Sequence, residues 1–505
     1  MASSGAVASD IIISVFMSLL TVLAAIGLIA ALCASSGERG KEDKENKKSK
    51  NKIALAAAFI IGFALRLAFA LSVRGYRSDY SLFTKAVDNL RVNGLNGYYN
   101  GDTSSVLYPC VYFVYLIFGG LANVTGISGS ALGLQFAVKL PLIAADLLAA
   151  LAVYLTARRY INKRAATALC AFVCVCPAFF VGSAVWCTPL CFTVMFASYG
   201  CYFLARKKYL PTVAFMTAAA YSSKEGIYLF PVVCVFCAFH FTRAVVAAVK
   251  DKPEKKALLT DKYVAAFSVP IGVVASFLAA YALSLFVTFE YTLNPFVQIY
   301  KFLLEPLVNW KYFTLNGLSV YMLFGQNGSI PGARFPSWVF ACVFGAIIIA
   351  VVCVVYFTRR NRGVLVMLAA YSVLTVLMYY PGASAVGFEC VLALLVVSYA
   401  LVKDKRLLIV LFACCIAYVI NVTSALSYAG YLNNLADYNF GNESVLMTGG
   451  MSAVPIACSA VTLLAHLFFT VVAINIGMTG KTVQLRFAPT LRGSLKEFAA
   501  VRKGE

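Results

Sequence analysis

The fold class this sequence predicts is an all-α, polytopic integral membrane protein. Three observations predict it: 61% of the residues are apolar, only 12% are charged, and apolar runs of about 20 residues, the length of one membrane crossing, recur from end to end. A soluble domain is roughly 45–50% apolar and about a quarter charged. The formal charge of +21 does not point to nucleic acid, because Lys and Arg stand in short clusters between the apolar runs, where they act as topology signals. The 16 cysteines lie mostly in apolar stretches and not in polar loops, so they read as small packing residues rather than a disulfide framework.

Placing each basic cluster on the cytoplasmic side threads the chain in order. Residues 10–33 form a first span, and the run from Glu38 to Lys52 follows it inside. The N-terminus lacks Lys and Arg and is placed outside, so this first helix reads as a retained anchor and not a cleaved signal. Residues 53–73 return to the outer side. The apolar segment 105–122 cannot cross fully, since the next helix, 131–157, would then leave Arg158, Arg159, Lys163 and Arg164 outside. It is expected to be re-entrant or to lie in the interface. Beyond it, Arg206 to Lys208, Lys250 to Lys256, Arg359 to Arg362, Lys403 to Arg406 and the C-terminal tail all fall inside. The count comes to about 12–14 transmembrane helices. The sequons at Asn123, Asn327, Asn421 and Asn442 then fall outside. Four regions are expected: an anchor helix with its basic loop (1–52), a first transmembrane module (53–290), a second with outer loops (291–480) and a basic cytoplasmic tail (481–505).

Chemistry on a lipid-borne substrate needs a polar group at the membrane surface. Asp79, in Arg74-Gly-Tyr-Arg-Ser-Asp79-Tyr directly after a span, is the leading candidate, with Arg77 beside it. The stretch after it has apolar residues at helical spacing among charged ones, as in a helix lying in the interface, and Gly94, Gly97 and Gly101 are expected to break it. Ionisable residues within spans are suspects because burying them is costly. Lys139 and Asp146, seven apart, share one helix face about 10 Å apart. Lys224 and Glu225 sit at the outer end of a span, and Glu389 begins another after the turn at Pro381. Each of these is equally well read as a structural polar contact between helices. His240 and His466 have no acid at ligand spacing, so a metal site is unsupported, and no soluble-nucleotide motif is present.

The order of these features resembles the GT-C superfamily of membrane glycosyltransferases, in particular bacterial proteins related to the second mannosyltransferase of GPI-anchor synthesis. The resemblance runs from about residue 53 to 400. It is carried by Asp79-Tyr-Ser-Leu-Phe83-Thr-Lys-Ala86, Gly97-Tyr-Tyr99, Leu107-Tyr-Pro109-Cys-Val-Tyr112 and Lys139-Leu-Pro-Leu-Ile-Ala-Ala-Asp146-Leu-Leu. Further on it is carried by Gly182-Ser-Ala-Val-Trp186, Lys224-Glu-Gly and Leu315-Asn316-Gly-Leu-Ser-Val-Tyr321. Two places depart from the family pattern. The Gly-Gln-x-Asp that follows the Trp is here Cys187-Thr-Pro-Leu190, and a late His-Glu-Arg-Tyr is here Phe388-Glu389-Cys390-Val391.

The resemblance implies transfer of a sugar from a polyprenyl-phosphate monosaccharide to an acceptor at the outer face, with inversion and with no further cofactor. Asp79 would be the general base, and Lys224 and Arg77 would hold the donor phosphate. Lys139, Asp146, Glu225, Glu389 and Asn316 would give polar support, and Tyr98, Tyr99 and Trp310 would stack on sugar rings. The partners would be membrane lipids, the lipid-linked sugar and a glycan, lipid or protein acceptor. The membrane would be a bacterial plasma membrane, with the endoplasmic reticulum as the alternative. Two other readings stand beside this one: an inactive homologue serving as a lipid-binding scaffold, and a transporter or flippase using Lys139 and Asp146.

Overall fold

The structure is a computed structural model that describes residues 4–36, 44–100, 109–251, parts of 271–282, 313–327, 337–359, 361–428 and 453–485. The spans expected between 252 and 312, Trp310, Asn442, the tail beyond 485, and the side chains of Arg77, Tyr98 and Tyr99 lie outside the described residues. The chain is an all-α polytopic bundle. Among the described residues, seven helices are long and apolar enough to cross a membrane.

The chain begins with α1 (Ser4–Ser36), α2 (Lys44–Ser72), α3 (Arg77–Asn100) and α4 (Pro109–Val124). Next come α5 (Ala131–Ala157), α6 (Lys163–Val175), α7 (Leu190–Ala205), α8 (Tyr209–Ala220), the one-turn α9 (Lys224–Ile227) and α10 (Phe230–Asp251). A short α11 (Val320–Leu323) precedes α12 (Ser337–Thr358), α13 (Arg362–Tyr379), α14 (Glu389–Val402), α15 (Arg406–Tyr428) and α16 (Ala453–Thr479).

The main apolar core runs from Met17 on α1 to Ile476 on α16, and a smaller one gathers Phe83, Val87, Tyr115, Leu142 and Phe192 where α3, α4, α5 and α7 meet. The central helix α13 is buried nearly throughout, whereas α1, α2 and α16 expose Ile12, Leu19, Leu23, Ile60, Leu464 and Val471. A lipid tail is as apolar as these side chains, so their exposure carries no penalty in a membrane. The expected anchor α1 packs on α6 and α15.

The helix ends that carry basic clusters meet at one end of the bundle. Asn162 donates to the Ser35 carbonyl at 2.9 Å, Arg362 and Tyr160 both donate to Ala205 O, and the Lys405 amide reaches Val483 O. Arg406 grips Asp404 at 2.7 Å, and Asp404 in turn accepts the Val483 amide. At the other end α4 starts beside Tyr221, whose carbonyl accepts the Cys110 amide at 3.4 Å, and finishes beside α5, which starts there. A helix of 16 residues spans only about 24 Å, short of a bilayer core of about 30 Å. Both ends of α4 thus sit at this outer end, and α3 packs on α4 and on α5. The expected break at Gly94 and Gly97 does not occur, since α3 continues to Asn100. Interior glycines cost a helix about 1 kcal/mol each, and only proline forbids continuation.

Candidate functional site

The outer end is built around the turn from α2 into α3. Gly75 adopts φ +113°, which only glycine enters without strain, and this sends Tyr76 back against the bundle. The Tyr76 amide donates to the Trp186 carbonyl at 2.8 Å, and the two rings stack with centroids 4.7 Å apart. Three residues on, Asp79 stands in the first turn of α3, where the amide dipoles favour a carboxylate. The Trp186 indole Nε1 donates to Asp79 Oδ2 at 2.9 Å.

Trp186 ends an unusual segment. After α6 the chain makes a 3₁₀ turn at Pro177–Phe179 and a π-helical turn over Val181–Trp186 before α7 begins. The π-turn is closed by the Thr188 amide on the Gly182 carbonyl at 2.9 Å, and Cys187 takes a left-handed conformation with φ 73°. Thr188-Pro189 leads directly into α7.

Helix α5 fastens both sides of the Asp79–Trp186 contact. Gln135 donates to Ala70 O at 2.6 Å and to Val73 O at 3.0 Å. The fully buried Lys139 donates to Val73 O and, at 2.7 Å, to Ala184 O. A cation on the last carbonyls of α2 is favoured by the helix dipole, and the same ammonium holds the π-turn. Lys139 and Asp146 both face the bundle, yet they do not pair with each other. Asp146 pairs with Arg66 of α2, Nε to Oδ2 at 3.3 Å, and accepts the Ser183 hydroxyl. Arg66, 0% exposed, also donates to Cys174 O at 2.5 Å and to Val173 O and Phe179 O. It caps α6, and the sequence reading missed it.

Lys224 and Glu225 share the outer end with Asp79. Desolvation pushes the Asp79 carboxyl up to about 6; the Trp186 hydrogen bond opposes this, the Glu225 charge adds to it and the Lys224 charge opposes it. Lys224 Nζ donates to Gly382 O at 2.6 Å, and Ser384 Oγ to Glu225 Oε1 at 3.4 Å. The strand Ala383–Ser384 that carries these contacts pairs in parallel with Thr314–Leu315. Beside it Asn316, at φ 52°, exchanges hydrogen bonds with Asn327, and its carbonyl accepts Asn421 Nδ2 at 2.7 Å. Asn421 is fully buried, so this sequon is a packing residue. Asn123 is likewise engaged, accepting the Ser128 hydroxyl at 2.6 Å.

Glu389 does not join this group. Its carboxylate lies on the inner side of the π-turn, accepting the Gly182 amide at 2.8 Å and the Tyr418 hydroxyl at 3.3 Å. An apolar cavity lined by Leu204, Val213, Met216, Phe236 and Leu365 lies between α7, α8, α10 and α13, towards the basic end and away from Asp79. No group of three or more His, Cys, Asp or Glu able to hold a metal exists among the described residues. What the outer end offers is a half-buried carboxylate of raised proton affinity within the field of an ammonium.

Residues 121–253 match the family model for dolichyl-phosphate-mannose-protein mannosyltransferase. The match spans α5 to α10, so it includes Lys139, Asp146, Trp186 and Lys224 but neither Asp79 nor Glu389. No curated protein matches the chain. Over this stretch the all-α polytopic bundle is similar to a family of membrane glycosyltransferases.

Proposed function

We propose that this protein is a glycosyltransferase that moves a sugar, by inversion, from a polyprenyl-phosphate monosaccharide to an acceptor hydroxyl at the outer end of the bundle. The observation that carries the reading is the Asp79 carboxylate held by Trp186 within the field of Lys224, with the family match over α5 to α10 in support. As the acceptor oxygen attacks the anomeric carbon, Asp79 takes its proton. The bond from that carbon to the phosphate oxygen breaks, and the electron pair leaves with the lipid phosphate. A base with a proton affinity near neutral pH suits this task. Lys224 supplies the cation that the leaving phosphate needs, exchanging its Gly382 carbonyl for a phosphate oxygen.

Arg77 joins Lys224 on the phosphate, and Glu225 and Asn316 support the acceptor side. Lys139 and Asp146 hold the scaffold of the site. Tyr98, Tyr99 and Trp310 stack on the sugar rings. The relation to the second GPI mannosyltransferase rests on the Lys139-Leu-Pro…Asp146-Leu-Leu run, and a bacterial plasma membrane is its setting. The bonding of Arg66 to Asp146 and to the end of α6 supports a structural cross-link between helices at this pair over a transport role for it.

The experiment is sugar transfer by the purified protein from a panel of polyprenyl-phosphate monosaccharides, wild type against D79N and K224A. The expected result is transfer abolished in D79N with lipid binding retained, and a raised donor KM in K224A. Wild-type protein that binds these lipids yet transfers nothing to any acceptor would replace this reading with the scaffold.

A further inference from the structure

The π-turn Val181–Trp186 is held residue by residue by ionisable side chains from two helices. The Gly182 amide donates to Glu389 Oε1 at 2.8 Å, the Ser183 hydroxyl donates to Asp146, and the Ala184 carbonyl accepts from Lys139 at 2.7 Å. Two residues further on, Trp186 reaches Asp79. Asp146 and Lys139 have second tasks, on Arg66 and on the end of α2. Glu389 differs. It is 1% exposed, its hydrogen bonds among the described residues go to the turn and to Tyr418, and its Oε2 is buried without a partner.

A buried carboxylate with an unpaired oxygen is expensive to retain. Among the described residues, Tyr418 and the turn are the hydrogen-bond partners it has. The contact is also close enough to dictate sequence, because a Cβ at Gly182 would overlap the Glu389 carboxylate.

We infer that Glu389 is a positioning residue that, through the Gly182 amide, sets the π-turn and so aims the Trp186 indole at Asp79. Its catalytic consequence rests on the reading of Asp79 as base, whereas its effect on Trp186 does not. The shape of the turn makes this transmission direct. A π-helical turn closes over one more residue than an α-helical turn and is a local excursion that surrounding contacts must maintain. Withdrawing the acceptor at Gly182 lets the turn relax toward α-helical winding, which rotates Trp186 away from Asp79.

The test uses the full-length protein with W310F and W338F, which leaves Trp186 as the sole tryptophan of the three in the chain. Emission maximum and acrylamide quenching report the indole's surroundings without any need for activity. E389Q keeps an acceptor for Gly182 and puts an amide nitrogen where Oε2 stands, so its Trp186 emission should match the parent. E389D withdraws the carboxylate by one methylene and should raise acrylamide quenching about two-fold with the melting transition still cooperative, as should E389A if it folds. In the transfer assay, run on the chain with all three tryptophans in place, E389D should lower kcat with donor KM unchanged, and in the D79N background it should cost nothing further. Parent-like emission and quenching in folded E389D would overturn the inference, whatever the assay gives. An inactive wild type combined with a shifted E389D emission would retire the catalytic reading and leave the positioning contact standing.

Discussion

Trp186 Nε1 lies 2.9 Å from Asp79 Oδ2, and the Trp186 carbonyl receives the Tyr76 amide at 2.8 Å, so one residue of the π-turn grips the start of α3 at two points. The indole hydrogen bond favours the ionised carboxylate and lowers a proton affinity that burial has raised. W186F removes that donor and keeps most of the ring stacked on Tyr76. The Asp79 pKa should then rise above its value of about 6, by up to about one unit for a partly exposed charged hydrogen bond. A general base works only when ionised, so the acid limb of the pH–rate profile should move to higher pH in W186F. A profile that does not move would detach Trp186 from the chemistry.

The raised pKa also fixes a stability signature. Asp79 binds its proton more tightly in the folded state, at about 6 against an ordinary 3.8, so native protein resists ionisation. The resulting penalty is absent below the ordinary value, grows as pH rises from 3.8 towards 6, and is complete above it. D79N cannot ionise and keeps an oxygen for the indole. It should melt higher than wild type at pH 8, by on the order of 1–2 kcal/mol, and alongside wild type near pH 4. Detergent thermal unfolding at the two pH values reads this directly.

Much of the architecture was legible in the sequence because bilayer thickness and charge placement are strong constraints. The span at 131–157 coincides with α5, and the placement of 105–122 outside the set of full crossings agrees with a short α4 at the outer end. The site was half legible. Asp79, Lys224 and Glu225 stand out as polar residues next to apolar runs, and the structure brings them together. Arg66 was overlooked although a lone arginine in an apolar run is itself the signal. Spacing placed Lys139 and Asp146 on one face of α5 towards the bundle, but it could not name their partners, which come from α2 and the π-turn. Glu389 was placed at the start of the span that follows the Pro381 turn, and its carboxylate meets the π-turn at the Gly182 amide, apart from Asp79. The π-turn, invisible in any periodicity, stands between them.

Gly75 should be among the least substitutable positions outside the core. At φ +113° any side chain is strained, and a Cβ there would stand 2.7 Å from the Trp186 carbonyl and 3.0 Å from that of Val185. G75A must either bend the α2–α3 turn or push Trp186 off Asp79. The backbone strain alone is worth roughly 1–2 kcal/mol, and the displaced contacts add to it. A lower melting temperature together with an acid limb of the pH–rate profile moved in the same direction as in W186F is expected. G75A that melts and turns over like wild type would show that the turn is slack.

Arg66 tests the scaffold behind the site. Its guanidinium neutralises Asp146 at 3.3 Å and accounts for carbonyls at Gly62, Val173, Cys174 and Phe179, while lying over the Phe180 ring at 5.2 Å. Removing one member of a buried ion pair leaves the other uncompensated and typically costs about 3–5 kcal/mol. R66A should therefore unfold well below wild type in detergent. R66K should not rescue it, because a single ammonium cannot replace the planar fork that spans the end of α6. Pairing the change with D146N relieves the stranded carboxylate and still offers an oxygen to Ser183, so R66M/D146N should recover part of the loss. The shortfall that persists measures the uncapped carbonyls of α6. Full recovery in the double variant would place the whole contribution of Arg66 in its charge, and no recovery would place it in the cap.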